Sequence, residues 1–124
     1  MADVREKYQY TAKEQLCAVV GELDDPYCQS QELLQIDFAN GGNAVIYGVA
    51  GSGKENFLST MLYSMYLDYD AKKLNTYILD FGAETLRMFE NAPQTGAVVV
   101  DGEDDKIINR AVAKYAAARF FWVI

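Results

Sequence analysis

The sequence predicts a three-layer α/β fold with a mostly parallel sheet, and three observations predict it. The stretch NAVIYGVAGSGKENFL, Asn43 to Leu58, puts an apolar run directly before a glycine-rich turn and a helical pattern directly after it. Downstream, short apolar runs at Thr76–Leu79 and Ala97–Val100 alternate with helical segments. Strands separated by helices form parallel sheets, because a parallel connection needs a crossover long enough to hold a helix. A chain of 124 residues suits one small domain that buries roughly two thirds of its unfolded surface.

Composition narrows the function before any motif is weighed. The formal charge of −7 speaks against a surface that coats nucleic acid. The absence of histidine removes Ser-His-Asp and Cys-His catalysis, imidazole acid–base chemistry and His-ligated zinc. Cys17 and Cys28 match neither a metal motif nor a redox C-x-x-C pair and read as two free thiols. The polar start MADVREKYQY has no signal-peptide core, and no run approaches the roughly 18 apolar residues of a membrane span. The expected localisation is cytoplasmic.

In chain order, residues 1–15 read as a polar lead-in, with a short helical turn around Ala12–Leu16. Leu16–Val20 reads as a strand ended by Gly21, and Asp24-Asp25-Pro26 as a turn. QELLQIDF, Gln31–Phe38, alternates Leu34, Ile36 and Phe38 with polar residues, the period of a half-buried strand. Asn40–Asn43 is a turn signal, so this strand is expected to form a hairpin with a buried strand at Ala44–Tyr47. From about Glu55 to Tyr69, Leu58, Met61, Leu62 and Met65 stand at i, i+3, i+4 and i+7, one core-facing helical stripe. Asp70–Lys73 is its polar exit, and a helical turn at Glu84–Glu90 points Leu86 and Phe89 inward. DGEDD, Asp101–Asp105, reads as a solvated acidic turn at the start of a further helix, Ile107 to Arg119. The chain closes on FFWVI, Phe120–Ile124, an apolar end without a cap.

The candidate site is Gly48, Val49, Ala50, Gly51, Ser52, Gly53 and Lys54, followed by Glu55. It matches G-x-x-x-x-G-K, whose glycines let successive backbone N–H groups face one concavity at a helix N-terminus while the lysine reaches the outer phosphates. The position after the lysine ordinarily carries Ser or Thr, whose hydroxyl holds Mg²⁺. Here it is Glu55. A carboxylate beside polyphosphate oxygens adds like-charge repulsion.

Four segments, GELDDPYCQSQELLQIDF, GNAVIYGVAGSGK, NTYILDFGAETL and NAPQTGAVVVDGEDD, resemble the FtsK/SpoIIIE-type ATPase domains, in particular those of type VII secretion ATPases (EssC/EccC). The resemblance covers about residues 16–109 and leaves 110–124 as a divergent apolar tail. It implies a P-loop NTPase fold of RecA-like type, incomplete in its C-terminal half, that binds ATP. It also implies partners among secretion-machinery subunits, adjacent ATPase domains or further copies of itself; DNA enters through the family alone. Three departures bear on activity. Glu55 replaces the Mg²⁺-binding hydroxyl, the acidic Walker B strand lies beyond the matching region, and AVAKYAAARFFWVI leaves the family pattern. Asp80, at the end of YILD, mimics Walker B, but the resemblance places it on the earlier strand that follows the loop helix. The expected function is a nucleotide-binding fragment of a translocation ATPase, weak or inactive alone. The alternatives are a non-catalytic interaction module and a remnant reading frame.

Overall fold

The computed structural model describes residues 2–100 and the pair 122–123. The acidic turn at Asp101–Asp105 and the helix expected over Ile107–Arg119 lie outside the described residues. Two compact units divide the chain, Met1–Asp68 and Tyr69–Ile124.

The first unit starts with α1, Ala2–Lys7, and contains β1, Cys17–Asp25, and β2, Ser30–Asp37. The short helix α2, Phe38–Gly41, and the long helix α3, Lys54–Asp68, complete it. β1 and β2 pair antiparallel, from Cys17 opposite Asp37 to Asp25 opposite Ser30. The Asp25 carboxylate accepts hydrogen bonds from Tyr27 N (2.9 Å) and Cys28 N (3.2 Å) and closes the turn between them. Those bonds, from the Cys28 amide first, hold its pKa below the ordinary carboxylate value. Gly21 does not end β1. It pairs with Leu34 just beyond a register shift, so the ladder continues to Asp25.

The expected hairpin therefore forms from different strands: β2 pairs backwards with β1 and not forwards with Ala44–Tyr47. The reason is local. The Asp37 carboxylate accepts from Ala39 N and Asn40 N, both at 3.0 Å, which caps α2 and turns the chain out of the strand direction. Residues 42–49 hold neither helix nor strand, and Val45 (89% exposed) and Tyr47 (99%) face solvent. The helical turn expected near Ala12–Leu16 is likewise absent; the helix of the lead-in is α1.

α3 lies against β1. Met61, Leu62 and Met65 are buried as the stripe predicts, together with Cys17, Ala18 and Val19, while Leu58 is half-buried. Each large apolar side chain buried in this way contributes on the order of 1.5–3 kcal/mol. Ser64 is buried in the same layer. Its hydroxyl accepts from Val19 N (3.1 Å) and from Arg5 Nη2 (2.6 Å). Arg5 also donates to the Ser64 carbonyl (3.0 Å) and grips both Asp68 carboxylate oxygens, one of them at 2.9 Å. The hydrogen bond to Asp68 raises the Arg5 pKa against the cost of burial. The Ser64 hydroxyl of α3 thus joins α1 and β1.

The second unit is a parallel sheet in the order β4-β3-β5. Its strands are β3, Thr76–Asp80, β4, Thr95–Val100, and β5, Trp122–Val123. β3 pairs parallel with β4 and with β5, so the sequence's parallel reading holds here and the final apolar run supplies a strand. Ile78, Val99 and Val100 are buried with Leu74, Leu86 and Phe89, the last two from a 3-10 helix at Thr85–Phe89. The Gln94 amide donates to the Tyr69 carbonyl (2.8 Å), and the Gln94 carbonyl accepts from Thr76 N (2.7 Å). Gly96 lies under the Tyr77 ring so closely that a β-carbon there would stand 2.0 Å from a ring carbon. No helix among the described residues is long and apolar enough to cross a membrane.

Candidate functional site

The loop Gly48–Gly53 runs into α3, whose first residue is Lys54. Gly51 (φ 75°) and Gly53 (φ 87°) occupy the left-handed region that glycine adopts at little cost, so these two positions need no side chain. Ser52 N donates to the Val49 carbonyl (3.2 Å), and Phe57 N to the Gly53 carbonyl (3.0 Å), which carries the loop into the first helical turn. A β-carbon at Gly48 would stand 2.5 Å from the Ser52 hydroxyl oxygen, the end of an exposed side chain that can turn aside.

Lys54 folds back over the loop. Its ammonium donates to the carbonyls of Gly48 (2.8 Å) and Val49 (2.7 Å). Glu55 follows in the exposed first turn of α3, where its charge is favourable towards the helix dipole. The unpaired N–H groups of a helix start attract anions. Loop, lysine and helix N-terminus thus follow one another without a break. The strand expected ahead of the loop is not formed, and Ala44–Tyr47 enters it as exposed irregular chain. Sequence reasoning did not foresee that the loop's own carbonyls engage Lys54; nothing in the residue pattern signals it.

The donor set does not fit an ordinary Mg²⁺ site. At the position that would offer a neutral hydroxyl stands the Glu55 carboxylate, and no group of three acidic or sulfur ligands that could hold a metal occurs among the described residues. The Asp80 carboxylate accepts from Gly82 N (3.1 Å) and Leu86 N (3.2 Å), closing the turn between β3 and the 3-10 helix. Cys17 is buried, which raises its thiol pKa, and its Sγ lies 3.3 Å from Gln35 Oε1; Cys28 is exposed, and both are free.

A parallel α/β sheet with a glycine loop opening a lysine-led helix defines the class as a P-loop NTPase fold. Solved ATPase domains match the chain. Two modules of Thermomonospora curvata EccC, described as ATPases 2 and 3 in complex with a signal sequence peptide, superpose with a TM-score of 0.75 at 32% identity, over 87% of this chain and 20% of that one. ATPases 2 and 3 of Geobacillus thermodenitrificans EssC give 0.72 at 29% identity, over 86% and 20%. The FtsK/SpoIIIE family model matches residues 2–119, and the chain belongs to that family. Among curated relatives, EccC of T. curvata is 35% identical over 105 residues, 82% of this chain and 8% of its own length. The ESX-1 secretion system protein EccCb1 of Mycolicibacterium smegmatis is 32% identical over 99 residues, 79% of this chain and 16% of its own. The chain therefore spans less than a fifth of the length of either of these two relatives, and is an FtsK/SpoIIIE-like ATPase domain related to those of type VII secretion.

Proposed function

We propose that Gly48–Glu55 binds the phosphates of a nucleotide and that the chain acts as the nucleotide-binding part of a secretion-type translocation ATPase, weak or inactive in hydrolysis by itself. The observation that carries this reading is the loop, with two left-handed glycines and Lys54 folded over it at the first residue of α3. ATP is the ligand that family membership favours. Binding would exchange the Lys54 contacts to Gly48 and Val49 for contacts to phosphate oxygens. Weak hydrolysis follows from Glu55, which leaves no hydroxyl for a metal. On this reading residues 16–109 form the partial nucleotide domain, 1–15 its lead-in and 110–124 its tail. The chain works in the cytoplasm beside further ATPase domains, secretion-machinery subunits or copies of itself. Protein is the substrate class that the secretion relatives favour, and DNA handling rests on the family alone.

Calorimetric titration of ATP into the folded chain tests the reading. Saturable binding that disappears in Lys54→Ala supports it; equal binding by the variant, or none by the folded chain, removes it. Glu55 favours a second reading, a degenerate module that holds an assembly together without binding nucleotide, and that module is what the last outcome would leave.

A further inference from the structure

We propose that this loop, read as a nucleotide site as above, selects a metal-free nucleoside diphosphate over a magnesium–triphosphate complex. Between Asp37 and Asp68 the sequence carries only two charged residues, Lys54 and Glu55. They are adjacent and of opposite sign, so the side-chain charge of loop and helix α3 ahead of Asp68 sums to +1 − 1 = 0. The lysine is already engaged. Two of its three ammonium protons are held by the Gly48 and Val49 carbonyls. A polyphosphate entering the loop therefore meets backbone N–H groups, a lysine that must be drawn off its carbonyls, and one carboxylate.

That carboxylate decides the ligand class. In a magnesium site the metal offsets the charge added by the third phosphate, and a Ser or Thr hydroxyl at this position helps to hold it. The Glu55 side chain is two bonds longer than a serine and charged, so the position that would offer such a metal a neutral hydroxyl offers it a carboxylate instead. Without that metal the third phosphate brings one more negative charge towards Glu55. At the water-like dielectric of an exposed side chain, one such contact near 4 Å costs about fivefold in affinity. The less charged diphosphate is the better ligand.

The test titrates ADP and ATP separately into the full chain by calorimetry, each once with EDTA and once with excess Mg²⁺. The expected result is that metal-free ADP binds about fivefold tighter than metal-free ATP, with Mg²⁺ changing the ADP affinity less than twofold. Magnesium–ATP binding tighter than metal-free ADP overturns the proposal and leaves the nucleotide reading standing. Glu55→Gln keeps the length and removes the charge, so the ADP preference should vanish; an unchanged ratio in a variant with the parent's circular dichroism overturns it as well. Glu55→Thr should gain binding that depends on Mg²⁺. Failure of both nucleotides to bind the folded parent chain sinks the nucleotide reading itself, and this proposal with it.

Discussion

The two ends of α3 are held in opposite ways. At its C-terminal end, Asp68 and Ser64 are buried against Arg5 and the Val19 amide, and the contacts reach 63 residues along the chain. At its N-terminal end, the Lys54 partners among the described residues are carbonyls five and six residues away, and Glu55 is exposed. The first end is tied into the unit's core by long-range contacts. The second is held, among the described residues, by local contacts, which on the proposed reading a ligand would take over without disturbing the core.

Substitutions should break this contrast unequally. Asp68→Ala leaves the Arg5 guanidinium partly buried (its side chain 15% exposed and that of Asp68 4%) without its carboxylate, which should cost about 3 kcal/mol in chemical denaturation. Replacing both partners, with Arg5→Met and Asp68→Leu, should recover most of that loss; equal destabilisation by the double variant would show that the charge pair is not what holds this end. Ser64→Ala strips an acceptor from Val19 N and from Arg5 and should lower stability by about 1–2 kcal/mol, with faster amide exchange at Val19. Lys54→Ala should shift stability by no more than about 0.5 kcal/mol while removing nucleotide binding. A loss as large as that of Asp68→Ala would erase the distinction between the two ends.

The smallest effect concerns α2, whose cap is a carboxylate. The Asn40 side chain, then the Asn40 and Ala39 amides, hold the Asp37 pKa below its ordinary 3.8. The cap's contribution is therefore present above pH 3.8 and lost as pH falls through the lower folded value. The Ala39 and Asn40 amide resonances should move together in acid NMR titration, below that pH and not above it.

What the sequence announced and what it concealed divide along the same line as local and long-range contacts. The i, i+3, i+4, i+7 stripe of α3, the apolar runs of β3 and β4 and the glycine loop are local patterns, and each appears where its residues place it. The partner of β2 is not local: the alternation in QELLQIDF says that a strand exists but not with which strand it pairs. The deciding signals were Asp25, which closes the turn back to β1, and Asp37, which ends the strand. Helix α1 was illegible because ADVREK offers little apolar stripe and its anchor, Arg5 on Asp68, spans most of the first unit. The apolar run Ala44–Tyr47 misleads because hydrophobicity marks a strand only where a neighbouring strand pairs with it, and none among the described residues does.

The Tyr77 ring lying over Gly96 couples the sizes of side chain that these two positions can hold. A side chain at 96 has no room unless the half-exposed ring turns aside, so Gly96→Ala alone should displace Tyr77, whereas a lineage that first reduced Tyr77 to a small residue could fill 96 freely. Across relatives, residues 77 and 96 should then vary as a pair: an aromatic residue opposite glycine, or two residues of middling size, and seldom two large ones.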